Sequence, residues 1–260
     1  MKKYLIAAIL CIIPIAAFGW GIGLIGGGGG DAGGCPASPA VCKDDANLIA
    51  LYLFELSGAD IGDDYTTNYD LTSGSLPTRA SNSAPEGSYV GSFAAASSQY
   101  LAKASAMDLT GDYSISFWVY IDSDSQNNPI FQNGTDHQHG NTVAFSWSVD
   151  DHYINFANRN NWVEKKAYMS TALDLTTWYH ICLVYDAAAG DDMFTYLNGS
   201  TDGNTDGDLS AGSAGANVTI GYETLENKYF DGDLDEFAVF SRALSAAECN
   251  DIYTNGIRNP

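Results

Sequence analysis

Positive charge is scarce in this sequence. Its 260 residues hold 11 lysines and arginines against 32 aspartates and glutamates, a formal net charge of −21. A surface of that sign repels nucleic acid and anionic lipid headgroups, which argues against both as partners. Helical periodicity is also missing over most of the chain, and no internal repeat of the length that builds a propeller or solenoid occurs. There is no Ser/His/Asp arrangement and no glycine-rich phosphate loop, so the familiar nucleophilic and nucleotide-dependent chemistries lack their residues. Cysteine is limited to 5 residues and histidine to 4, without the close cysteine pair and histidine spacing of a zinc site.

What is present begins with an export segment. Lys2-Lys3 and the apolar run Tyr4 to Phe18 supply the charged and apolar parts of a secretory signal, and Ala17-Phe18-Gly19 is a small-x-small cleavage site. The apolar character resumes at Leu24-Ile25, about 22 residues in all, so residues 1–25 read as a signal peptide or as an uncleaved membrane anchor. A secreted or cell-surface location follows either way, and this segment is the one expected membrane attachment. Residues 26–47 are a Gly-rich linker containing Cys35 and Cys42, and residues 48–260 have the size of one β domain.

Short strands separated by turn residues fill that domain, which favours a sandwich or barrel. Tyr113 to Ile121 alternates most regularly. Tyr113, Ile115, Phe117, Val119 and Ile121 make an apolar face, while Trp118 and Tyr120 stand opposite, either covered by loops or forming a ligand-facing platform. Leu48 to Phe54 is apolar throughout and reads as a strand covered on both sides. Near the end, Leu234 to Phe240 is a strand followed at once by a helix: Ser245 and Glu248 have capping-box spacing, Leu244 and Cys249 are staple positions, and Asn255-Gly256 is the stop.

Four cysteines follow the export segment, an even number that suggests disulfides in an exported chain. Of three possible connectivities, Cys35 with Cys42 and Cys182 with Cys249 is preferred, the latter stapling the final helix to the sheet; two small buried thiols are the alternative for Cys182 and Cys249. Asp235 has the parity of Phe237 and Val239 and so is placed at the core end of its strand, where a carboxylate needs backbone amides, Arg242 or a hard cation such as Ca²⁺. The Asp60 to Asp70 loop carries further carboxylates and amides that suit a cation or simple turns. Trp162, beside Arg159 and Asn160 in a loop of amides, is the leading ligand-contacting residue, its alternative being an aromatic folded back on the sandwich rim.

Five blocks then resemble one family in matching order. They are Leu51-Tyr52-Leu53-Phe54-Glu55 with Ser57-Gly58 and Asp64; Tyr113 to Val119; Trp178-Tyr179-His180-Ile181 to Tyr185-Asp186; Tyr196-Leu197-Asn198-Gly199; and Gly232-Asp233-Leu234-Asp235-Glu236 to Arg242-Ala243-Leu244-Ser245 with Glu248. Together they resemble the laminin G-like module of the concanavalin A-like lectin/glucanase superfamily. The resemblance implies an all-β, two-sheet antiparallel jelly roll with one short C-terminal helix and adjacent first and last strands. It implies Ca²⁺ as the cofactor, with Asp64 and Asp235 as ligands or structural carboxylates, although Phe93-Ala94-Ala95 stands where the family has Phe-Asp-Gly. The function expected is a non-catalytic module that binds a glycan or an extracellular protein. The alternatives are a structural or adhesive surface protein that self-associates, and a glycoside hydrolase using Asp233 and Asp235, which lack the usual glutamate spacing.

Overall fold

The computed structural model describes residues 39–72, 75–123, 128–136, 139–145, 152–160, 163–190, 192–204 and 216–259. The strands are β1 (Leu48–Tyr52), β2 (Thr78–Ala80), β3 (Val90–Phe93), β4 (Leu101–Lys103), β5 (Tyr113–Ile121), β6 (Asn128–Asp136), β7 (His139–Phe145), β8 (Ile154–Asn160), β9 (Val163–Tyr168), β10 (Trp178–Asp186), β11 (Asp192–Leu197), β12 (Ser200–Asn204), β13 (Val218–Ile220), β14 (Tyr222–Glu223), β15 (Lys228–Tyr229) and β16 (Gly232–Phe240). Helix α1 (Ala246–Asn255) follows the last of them.

Two antiparallel sheets face each other in a jelly-roll sandwich. The larger has eight strands in the order β12-β11-β10-β5-β16-β3-β2, with β1 also pairing with β16; the smaller has six, β4-β13-β6-β7-β8-β9. The expected adjacency of first and last strands is present, since Leu51 stands opposite Ala238 and Tyr52 opposite Phe237. Alternation explains which side chains fill the interior: Tyr113, Ile115, Phe117, Val119 and Ile121 of β5 all enter the main core, together with Leu183 of the neighbouring β10 and Phe131 and Phe156 of the facing sheet. Strand β1 is apolar throughout because both its faces are covered. Ala50 and Tyr52 join the core between the sheets, while Leu48 and Leu51 join a second cluster beneath α1.

That second cluster, with Leu244, Cys249 and Ile252 packed on Cys182, Val184 and Phe240, seats the helix on the outer face of the larger sheet. The capping box is formed, with Ser245 Oγ accepting from the Glu248 amide and the Glu248 carboxylate accepting from the Ser245 amide. Gly256 ends the helix at φ 66°, a left-handed value that favours glycine. Cys182 and Cys249 are disulfide-bonded across 67 residues, as the sequence led us to expect. Cys42 is also in a disulfide; Cys35 and the whole export segment lie outside the described residues. Among those described, no helix is long and apolar enough to cross a membrane.

One strand departs from simple alternation. Glu236 lies at φ 43°, and the β16–β5 register shifts between Asp235 and Ala238. This bulge sets two residues of β16 against one of β5 and reverses the parity beyond it. Leu234, before the bulge, and Phe237 and Val239, after it, therefore all face the core. Asp235 does not share that face, contrary to the parity expected of an unbroken strand; it pairs with Trp118, on the outer side.

Candidate ligand-binding cleft

The outer face of the larger sheet carries two cross-strand rows. Asp233, Tyr120 and Trp178 stand side by side on β16, β5 and β10, and Asp235, Trp118 and His180 form the next row. Aromatics so placed contact one another: Tyr120 and Trp178 have centroids 5.5 Å apart, and Trp118 lies 5.2 Å from the His180 ring. Tyr253, near the end of α1, reaches Trp118 at 5.5 Å. The result is a cleft of about 520 Å³ lined by Ser83, Pro85, Glu86, Trp118, Trp178, Tyr253 and Thr254.

The acidic residues of β16 hold one wall of this cleft in place. Asn82 donates to Asp233 Oδ2 at 2.5 Å while its carbonyl accepts from Trp178 Nε1 at 2.9 Å. The Glu86 amide donates to Asp235 Oδ2 at 3.1 Å, and the Glu236 amide to Asp235 Oδ1 at 2.8 Å. The segment 82–86 is thus pinned at both ends to the sheet. Asp235 finds backbone amides as partners, whereas Arg242 pairs with Asp45 and Glu248.

A second cavity, about 370 Å³, adjoins the cleft through Glu86. It is lined by Lys43, Leu53, Glu55, Glu86, Gly87, Asp235, Glu236 and residues 255 and 257–259. Burial pushes the Asp235 carboxyl up to about 8 and that of Glu236 up to about 7, because the charged form loses more hydration than its few amide partners return. Burial also raises Glu86. On the same face His180 is fully buried, bonded through Nε2 to Ser116 Oγ, and pushed down to about 3, so it is neutral at physiological pH.

Asp64 occupies a different setting. Its oxygens accept five hydrogen bonds, from the amides of Leu51, Thr66, Asn68 and Tyr69 and from Thr66 Oγ1, and so tie the Asp60 to Asp70 loop to β1. It lines a third cavity with Leu51, Leu56, Ile61 and Tyr65. The cavities of Asp64 and Asp235 share Leu53 and Glu55 as a wall, yet the two carboxylates have no hydrogen-bond partner in common. Among the described residues, no group of three or more His, Cys, Asp or Glu side chains could hold a metal ion.

The stretch expected to be an amide-rich loop is otherwise. Asn158, Arg159 and Asn160 lie in β8, paired with Lys165, Glu164 and Val163 of β9. Amides and charges extend a ladder there because the backbone bonds of the paired strands outweigh their low strand preference. Trp162 lies outside the described residues. Trp118, Trp178, Tyr253 and Glu86 were missed as a group; only Trp118 carried a signal, as a large aromatic opposite an aliphatic face.

Comparison with known proteins agrees with this architecture. A family profile described as the concanavalin A-like lectin/glucanases superfamily, laminin G-like, matches residues 94–250. The chain belongs to that family. A search of curated proteins finds no match. Among solved structures, this laminin G-like domain is similar to domain 4 of an extracellular GH43 arabinanase from Geobacillus stearothermophilus, determined with arabinotriose, at 16% identity and TM-score 0.62, covering 80% of this chain and 98% of that one. It is similar to the binding domain of Paraclostridial mosquitocidal protein 1, at 16% identity and TM-score 0.62, over 80% of this chain and 52% of that one. The receptor-binding domain of botulinum neurotoxin type G follows, at 15% identity and TM-score 0.58, over 80% and 51%. The laminin G-like chain spans about half of each toxin domain, and at these identities the likeness is one of fold.

Proposed function

We propose that this laminin G-like domain is an exported, non-catalytic module that binds a glycan in the cleft over Trp118, Trp178 and Tyr253. The observation that carries this reading is the cleft itself, whose aromatic floor is flanked by the polar residues Ser83, Thr254 and Glu86. The C–H face of a sugar ring packs on aromatic surface, and a few polar groups at the edge fix its orientation. The fold supports the reading, since the arabinanase domain was solved with an oligosaccharide bound. Export through residues 1–25 accords with the Cys182–Cys249 disulfide, which suits an oxidising compartment. Of the two carboxylates expected to serve Ca²⁺, Asp64 is saturated with donors and Asp235 has an amide on each oxygen, so the proposed binding rests on the cleft rather than on a metal.

A glycan array probed with and without Ca²⁺ tests this. Saturable binding is expected, and Trp178→Ala should abolish it while circular dichroism shows the fold retained. Trp162→Ala, run alongside, asks the same of the residue singled out from sequence. Regular self-assembly with a blank array would favour a structural surface protein instead, and turnover of a polysaccharide would favour a hydrolase.

A further inference from the structure

The cavity beside the cleft has more acceptors than donors. Glu236 is only 4% exposed; its Oε1 accepts from the Ile257 amide at 2.7 Å, but its buried Oε2 has no partner. Among the described residues, Glu55 accepts only through Oε1, from the amides of Ser88 and Tyr89, and the Glu86 carboxylate, which lines the same cavity, accepts no hydrogen bond. Two glycines let these side chains crowd together. A Cβ on Gly87 would stand 2.0 Å from Glu55 Oε1, and one on Gly256 would stand 2.9 Å from Glu86 Oε2 and 3.2 Å from Glu236 Oε1.

The cations nearby do not fill this demand. Arg258 is bonded to Asp251, and Lys43 lies 5.2 Å from the Tyr65 ring centroid without a hydrogen bond to either glutamate, although its charge is felt by both Glu86 and Glu236. A hard metal ion requires six or more oxygens at 2.3–2.6 Å, and among the described residues no carboxylate set is close enough to hold a metal ion. A cavity of about 370 Å³ instead has room for part of an organic ligand. A primary ammonium offers three donors and no acceptor, which suits the free oxygens of Glu55, Glu86 and Glu236, and its charge would favour the ionised form of Glu236 on binding.

Resting on the glycan reading above, we propose that the cavity walled by Glu55, Glu86, Asp235 and Glu236 receives an ammonium group of the sugar bound in the adjoining cleft, so that the module selects glycans bearing free amines. Glu86, which lines both cavities, is the link between ring and amine. The net charge of −21 works in the same direction, drawing cationic glycans in and repelling uronates and sialylated chains.

The test is calorimetric titration, at pH 6.5 and low salt, with a glucosamine hexamer and the N-acetylglucosamine hexamer of equal length. The amine form is expected to bind at least about tenfold more tightly, with an advantage that shrinks as salt is raised. Glu236→Gln should bring the two affinities together; Glu86→Gln serves the same purpose should the first variant not fold. Equal affinity for the two hexamers, both lost in Trp178→Ala, overturns the ammonium assignment and leaves the cleft standing. Failure of both hexamers while another neutral glycan is held has the same meaning, whereas a blank array sinks the cleft as well. Ca²⁺ binding that Glu236→Gln removes, with no preference for the amine, assigns the cavity to a metal and overturns the proposal.

Discussion

Asp64 and Asp235 are both buried, yet they sit in opposite electrostatic circumstances. Asp64 accepts five hydrogen bonds and organises a loop. Asp64→Ala would leave four buried or half-buried amides without an acceptor, and a loss of about 3 kcal/mol is expected from urea melts. Asp235 and Glu236 instead have too few donors, and burial raises them from ordinary values of 3.8 and 4.5 to about 8 and about 7. Since the folded state prefers the proton, the stability these groups contribute is complete below the unfolded values and is lost as pH rises through 7 to 8. Glu236→Gln stays neutral at every pH. It should therefore match the parent in urea midpoint at pH 5 and exceed it at pH 9. Backbone amides as partners of Asp235 and a structural role for Asp64 were legible in the sequence, but the difference in their supply of donors was not. The acidic pair was visible, but Glu236 was not distinguishable as a bulge residue, and without the bulge the parity of Phe237 and Val239 misplaces Asp235 on the core face.

Elements were more legible than sites. Strand β5 spans Tyr113–Ile121, the limits expected from alternation, because it lies mid-sheet with its apolar face buried. Helix α1 was announced by its own cap, stripe and stop. Strand β2 was not, lying at an edge in a Ser/Pro/Gly connection with Thr78 and Arg79 exposed. The cleft escaped notice for a related reason: its wall, floor and rim come from the segment 82–86, two central strands and the end of α1, and only packing brings these together. The disulfide sets how firmly the rim is held. Closing a loop of 67 residues contributes up to about 4 kcal/mol by the chain-entropy estimate. The Cys182→Ala/Cys249→Ala double variant is expected to melt at lower temperature by differential scanning calorimetry and to bind glycan more weakly, because Tyr253 rides on the helix it frees.

At the scale of the whole molecule, one strand gathers the architecture. Along its length β16 pairs with β1, β3 and β5, contributes Leu234, Phe237 and Val239 to the interior, and places Asp233 and Asp235 where they hold the cleft wall. Core, cleft wall and cavity therefore all draw residues from this one strand. The sandwich itself was readable from the ordered blocks, because a jelly roll needs only correct alternation and correct sequence of strands.

The approach of the domain's two ends has a practical side. Cys42 and Arg258 form a bridge, with the Lys43 amide donating to the Arg258 carbonyl at 2.9 Å and the Arg258 amide to the Val41 carbonyl at 3.0 Å. Joining 259 to 40 by a short spacer, with Cys42→Ser because its disulfide partner is removed, and reopening the chain at the exposed Thr110-Gly111 segment should yield a circular permutant that folds and keeps its ligand, as checked by chromatography and titration. The same proximity makes the domain a graftable cassette, able to be spliced into a surface loop of a host protein with both junctions emerging side by side.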